Sequence, residues 1–321
     1  MKRLFAAFLT LFSLIVFGII LLENSGYSHS GTSICSILQE QYEVPTPSED
    51  SLRFAVIGDY GLGSQDEAEV ANMVTSWNPD FILTVGDNNY PNGDPAMLDQ
   101  NVGQFYQSYI GNYQGNYGAG ADENRFFPVP GNHDWMPGDI SGYLEYFSLT
   151  NDERYYTFTQ GSVQFFMLDS DSREPDGISS NSIQAAWLQQ ALAASIATFK
   201  IVVLHHAPFS SGHHGSNEIM QWQYEEWGAS AVLSAHDHTY ERIMRAGIPY
   251  FVNGLGGYSL YDFDDTIEGS AAQYNCNFGA MLVDVTKDIM TFQFITLGDG
   301  LVDSYAVQAE AAADAGTASP S

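Results

Sequence analysis

The chain has 321 residues, 45% of them hydrophobic, which is enough to bury a large core and excludes a disordered bulk. Its 39 acidic residues against 10 basic ones give a formal net charge of -29. That surplus excludes a polyanionic partner such as nucleic acid, whose binding depends on Lys and Arg releasing counterions, and it fits a surface adapted to salt or to an extracellular medium.

Met1, Lys2 and Arg3 precede an uncharged apolar run over residues 4–22, the pattern of an export segment. The run is longer than the usual signal-peptide core of about 7 to 15 residues and close to the ~20 that span a bilayer. Residues 1–24 are therefore a signal peptide or an N-terminal anchor that tethers the chain to a membrane, with cleavage preferred. Either places the protein in a secreted, periplasmic or cell-surface location. Residues 25–51 are polar, end in "VPTPSEDS" and read as a linker. Residues 306–321 are low-complexity and read as a flexible tail, which leaves 52–305 as one catalytic domain. The two cysteines, Cys35 and Cys276, pair in an oxidising compartment or stay as two free thiols; spacing does not choose.

Inside the domain, apolar runs keep ending in polar clusters. "RFAVI" leads into "GDYG" at 58–61, "FILTV" into "GDNNY" at 86–90, and "RFFPVP" into "GNHD" at 131–134. "KIVVL" leads into "HHAP" at 205–208, and "AVLSA" into "HDH" at 236–238. Runs rich in Val, Ile and Phe suit buried strands. Helical spacing predicts a helix over 66–77, with Val70, Val74 and Trp77 on one face, and another over 182–199, with Ile183, Trp187, Ala191 and Ile196. After Pro249 the pattern turns to strands, "IPYFVNG", "GAMLVDV" and "IMTFQFI", with short turns between them. The alternation gives an α/β fold, in which ligands bind where loops leave the carboxyl ends of strands. Seven of the eight histidines lie in these loops, and only His29 does not.

The ordered set "GDYG", "GDNNY", "GNHD", "VLHH" and "AHDH" resembles the five metal-binding motifs of the metallophosphoesterases. It is most similar to the purple acid phosphatase branch, because Gly61 stands where most other members have histidine and the second motif supplies Tyr90. The resemblance implies two mixed β-sheets packed together and flanked by helices, with a dinuclear metal site at strand ends. Residues 25–51 leave no room for the N-terminal sandwich domain of plant relatives. By the same resemblance Asp59, Tyr90 and His238 bind one metal, Asn132, His206 and His236 bind the other, and Asp87 bridges them. Phenolate and carboxylate suit Fe(III), whereas two imidazoles and an amide oxygen suit a divalent Zn, Fe or Mn.

His206 is preferred over His205 because the family's ligand is followed by one residue and then proline, as in "HAP". Strand alternation then turns His205 away from the metals as a supporting or packed side chain. The resemblance gives His133 and His214 catalytic, substrate-facing roles, with His213 as the fallback for His214. Glu241 orients a ligand histidine or pairs with a cation such as Arg242. Ala235 replaces the glycine that opens the fifth motif, and "NGLGGYS" at 253–259 reads as a tight turn rather than a nucleotide fingerprint. The implied activity is an acid phosphatase's hydrolysis of small-molecule phosphate monoesters by metal-activated hydroxide, without a phosphoenzyme. A nucleotide phosphodiesterase using the same site, and a noncatalytic protein that binds metal or phosphate, are the alternatives.

Overall fold

The structure is a computed structural model that describes residues 42–147, 149 and 154–309. The expected leader, Cys35 and residues 310–321 of the expected tail lie outside them. Cys276 is disulfide-bonded. No helix among the described residues is long and apolar enough to cross a membrane.

Two mixed sheets carry the fold. The first runs β13 (Gly300–Gln308), β12 (Ile289–Thr296), β11 (Gly279–Val285), β1 (Leu52–Ile57), β2 (Phe81–Thr84), β3 (Phe126–Pro128). The second runs β10 (Ser270–Tyr274), β8 (Tyr240–Arg245), β9 (Ile248–Asn253), β7 (Ala231–Ala235), β6 (Phe199–His206), β5 (Val163–Met167), β4 (Tyr156–Gln160). Strands β1, β2 and β3 are mutually parallel, as are β5, β6, β7 and β9. The strands after β9 pair antiparallel, as the sequence pattern indicates.

The sheets meet through aromatic and branched side chains. Phe54 of β1 and Phe81 of β2 both present edges to Phe165 of β5, at 5.3 and 5.5 Å, and Phe294 of β12 stacks on Tyr240 of β8 at 3.9 Å. On β6, Phe199, Ile201 and Val203 enter this core, while Val202 and Leu204 face a second cluster under α4 (Ile183–Ala194). That alternation matters for the site.

Helix α1 (Gln65–Ser76) starts where Ser64 accepts the Glu67 N–H, with Asp66 and Glu67 in its first turn, where the helix dipole favours them. It buries Val70 and Val74, as the spacing predicts. Two shorter helices, α2 (Gln104–Tyr106) and α3 (Ser141–Phe147), lie between β2 and β4. Helix α4 starts at the Ser182 cap and ends at Ala194, five residues before the expected end, because Ser195 turns extended and Phe199 opens β6. Its buried face is Gln184, Ala185, Leu188 and Leu192, whereas Ile183 and Ile196 project into solvent.

The expected linker and tail are also revised. The Tyr42 hydroxyl donates to Gln293, Val44 packs on the core, and the Arg53 guanidinium donates to the Pro45 carbonyl at 2.7 Å. Strand β13 continues three residues past 305, paired with β12 up to Gln308.

Candidate metal centre

The chain's strand ends converge. Asp59, Asp87 and Asn132 follow β1, β2 and β3 of one sheet; His205 closes β6 and His236 follows β7 of the other. At three of these exits the backbone turns into the left-handed region, with φ of +51° at Asp59, +53° at Asp87 and +73° at His236. Non-glycine residues adopt that region at a cost and mainly where surrounding structure imposes it. The preceding glycines make room: a Cβ on Gly86, itself at φ +95°, would lie 2.5 Å from His205 Nδ1. Ala235 is tolerated in the fifth motif because Gly58 opposes it, and a Cβ there would come within 2.9 Å of the Ala235 methyl.

One cluster joins Asp59, Asp87, Tyr90 and His238, all buried. The Tyr90 hydroxyl lies 2.9 Å from Asp59 Oδ1, 2.9 Å from Asp87 Oδ2 and 3.2 Å from His238 Nε2. One phenol proton cannot serve two carboxylates and an imidazole. Burial first, and then those two carboxylates, push the phenol well above its ordinary range. A cation among these oxygens reverses that balance.

The second cluster joins Asp87, Asn132, His205 and His236. Ligand atoms of Asp87, His205 and His236 lie within 4.8 Å of one another. His205 Nε2 is 3.1 Å from Asn132 Oδ1 and 3.4 Å from Asp87 Oδ2. His205 Nδ1 donates to the Val85 carbonyl at 2.9 Å, since that oxygen can only accept. Its Nε2 faces an amide oxygen and a carboxylate, both acceptors, so either a proton or a cation must stand between them. Such convergence of electron-pair donors fits a cation, and the Val85 bond is the kind that orients a ligating histidine. Burial opposes charge on His205, but Asp87 outweighs it and pushes the imidazole up to about 10, so a proton is the poor substitute this pocket takes up.

The expectation that His206 faces the metals and His205 turns away is reversed in this geometry. His205 continues the inward row Phe199, Ile201, Val203, while His206 Nδ1 lies 2.9 Å from Ser170 Oγ. Alternation along β6 thus brings His205, rather than the His206 that the proline count prefers, beside Asp87 and His236. The donor set, two carboxylates, a phenol, an amide and three imidazoles, fits a pair of cations sharing Asp87.

The calcineurin-like phosphoesterase family matches residues 52–240, more than half of the chain. The chain belongs to that family. Within it, the chain is similar to purple acid phosphatases. Purple acid phosphatase 17 of Arabidopsis thaliana is 29% identical over 250 residues, covering 68% of this chain and 72% of that protein. Human tartrate-resistant acid phosphatase type 5 is 23% identical, over 65% of this chain and 74% of its own length. The structure of a purple acid phosphatase from yellow lupin seeds superposes with a TM-score of 0.65 at 17% identity, over 82% of this chain and 55% of that one.

Around the centre of this phosphoesterase lie the other predicted histidines. His133 Nδ1 donates to the Pro91 carbonyl at 2.5 Å, and its Nε2 lies 3.9 Å from Asp87 Oδ2. His214 is exposed and stacks on His236 at 4.1 Å, while His213 lies farther out, 6.1 Å from the Tyr261 ring. The loop bearing them is pinned by two buried carboxylates. Asp237 accepts the His214 N–H and the Ser210 hydroxyl, at 2.6 and 2.5 Å. Glu241 accepts the Ser211 N–H and hydroxyl, the Ser270 hydroxyl and a Gln273 amide N–H. Among the described residues Glu241 thus hydrogen-bonds no ligand histidine, and Arg242 pairs with Asp303 instead.

Several groups at the site lie outside the five motifs. The segment after Asn253 is more than a turn: Tyr258 stacks on Tyr90 at 3.6 Å, Ser259 Oγ meets His238 Nδ1 at 2.6 Å, and Tyr261 stacks on His238 at 4.0 Å. Ser170 follows the apolar run "VQFFML" after which Asp169 and Asp171 stand, the same signature as the five motifs.

Proposed function

We propose that the chain hydrolyses phosphate monoesters at a dinuclear centre of Fe(III) and a divalent Zn, Fe or Mn. The observation that carries this is Tyr90, held between the Asp59 and Asp87 carboxylates with His238 at its hydroxyl, a hard, oxygen-rich set suited to a trivalent ion. When bound, two such cations lower the pKa of water and neutralise charge that develops on a phosphoryl group. Asp59, Asp87, Tyr90 and His238 would hold the trivalent ion, and Asp87, Asn132, His205 and His236 would hold the divalent one. His133, fixed by the Pro91 carbonyl, and His214, resting on His236, supply imidazoles to the phosphate oxygens and to the departing alkoxide. Proton transfer from such a group contributes roughly 10² to 10⁴ in rate. The disulfide at Cys276 supports an exported protein, since such bonds persist in oxidising compartments.

The test is metal analysis with a visible spectrum, alongside hydrolysis of a monoester and a diester at matched pH. A purple, iron-containing protein that turns over the monoester faster is expected. A colourless, fully active enzyme without iron refutes the Fe(III) assignment, and faster diester turnover refutes the substrate class.

A further inference from the structure

We infer that His206 is a substrate-binding residue, a fixed hydrogen-bond donor to the phosphoryl group rather than a metal ligand. The inference rests on the proposed function and adds one residue to it.

Ser170 decides the matter. It is buried, one residue past Asp169 in the loop after β5, and its hydroxyl oxygen accepts two backbone N–H groups, from His205 at 3.2 Å and His206 at 2.9 Å. Two lone pairs are thereby used, so the Ser170 proton is the one group left to bridge the 2.9 Å to His206 Nδ1. His206 Nδ1 accepts, which places the ring hydrogen on Nε2. The neighbouring His205 is oriented the other way, with Nδ1 donating to Val85 and Nε2 turned to the acceptors Asn132 and Asp87, where a proton or a cation must sit. Adjacent histidines thus use Nδ1 in opposite ways: His205 donates from it and leaves Nε2 for a cation, while His206 accepts at it and keeps its hydrogen on Nε2. An N–H cannot ligate a metal, and the one lone pair of the His206 ring is already taken by Ser170.

That N–H forms no hydrogen bond among the described residues, although the ring is largely buried and keeps some exposed surface. It stands beside the second cluster: the His206 ring is 4.6 Å from His236 and 5.0 Å from His205. His236 in turn carries His214 at 4.1 Å, so His206 and His214 are both ring neighbours of the same candidate ligand. A donor oriented in advance next to a site that gathers phosphate is suited to an equatorial phosphoryl oxygen, because its ordering cost is met by folding rather than by binding.

The experiment compares wild type, His206→Ala, His206→Gln and Ser170→Ala as full-length, metal-loaded proteins. It reads metals per chain, inorganic phosphate affinity by calorimetry, and kcat and KM for an aryl phosphate monoester. A hydrogen bond to a charged oxygen is worth roughly 10- to 100-fold in affinity. His206→Ala is expected to weaken phosphate binding and raise KM by about that factor, with kcat less affected and both metals retained. His206→Gln keeps an N–H donor and is expected to recover part of the loss. Ser170→Ala frees the ring to change tautomer and is expected to show a weaker form of the same defect. Loss of one metal per chain in His206→Ala overturns the inference by making His206 a ligand; full metal with unchanged phosphate affinity overturns it by making His206 structural. Phosphate binding is read without turnover, so a wild type that binds phosphate but cleaves no ester refutes the proposed activity separately.

Discussion

The two histidines that close β6 differ by one position and by everything that surrounds them. His205 is fully buried, donates to Val85 and turns its free nitrogen to Asp87; His206 is held by Ser170. Both facts were within reach of the sequence in principle, since a period of two assigns alternate residues to opposite faces. The missing piece was the phase, and phase comes from knowing that Phe199, Ile201 and Val203 face the other sheet, which one chain read alone does not reveal. By contrast Asp59, Asp87, Tyr90, Asn132, His236 and His238 all stand in the loops after strands that the sequence pattern marks, with Asp59, Asp87 and His236 at left-handed turns. His205→Ala is expected to remove the ligand that no other side chain replaces, with one metal lost per chain by elemental analysis and a fall in kcat of at least about 10², the scale on which displaced catalytic geometry is paid in rate. Retention of both metals would return the role to His206. Tyr90→Phe keeps the stacking on Tyr258 and removes only the oxygen, so visible absorption should vanish while the fold's melting curve stays close to wild type.

At the scale of elements, the segment 210–214 shows how a loop without regular structure is made rigid. Its backbone and hydroxyl groups end on Asp237 and Glu241, two carboxylates buried beside the strand end that carries His236 and His238. The sequence showed Glu241 only as a charge near ligands, and its partners Ser211, Ser270 and Gln273 are too distant along the chain for any spacing rule to connect. Removing the carboxylate strands four donors, each costing about 1 to 3 kcal/mol when left unpaired. Glu241→Ala is therefore expected to lose stability and to lower kcat roughly tenfold through a misplaced His214, less than the roughly 10² to 10⁴ of losing general acid catalysis outright, with both metals kept. Ser211→Ala should show a milder version. If Glu241→Ala instead loses metal at an unchanged melting temperature, the carboxylate acts on the ligands and not on the loop.

For the whole molecule, the site exists only because two sheets stack with their carboxyl ends aligned, so any contact that crosses between the sheets also holds the centre together. The hydrophobic crossings were legible as apolar runs, but β8 and β13 were not, because "YERIMR" and "GLVDSYAVQ" mix charge into their strands. Those charges form the crossing. Asp303 of β13 takes Arg242 of β8 in a paired contact at 2.7 and 3.0 Å and the Tyr240 hydroxyl at 2.8 Å. Burial raises the Asp303 carboxyl, yet Arg242 and Tyr240 outweigh it and hold its pKa below the ordinary value. A carboxyl depressed in the folded state stabilises the fold fully above its unfolded pKa of about 3.9 and loses that contribution as pH falls through the folded value. Asp303→Asn should therefore melt lower than wild type at pH 6, by the about 1.5 to 3 kcal/mol of a charged hydrogen-bonded contact, roughly 3 to 10 °C for a domain of this size. As pH falls through the folded value of Asp303, below its ordinary range, the two curves should converge. Metal loss in acid affects both proteins alike and drops out of the difference, so a gap between them that stays constant from pH 6 to pH 3 would show that Asp303 contributes packing alone and that its charge does not tie the sheets.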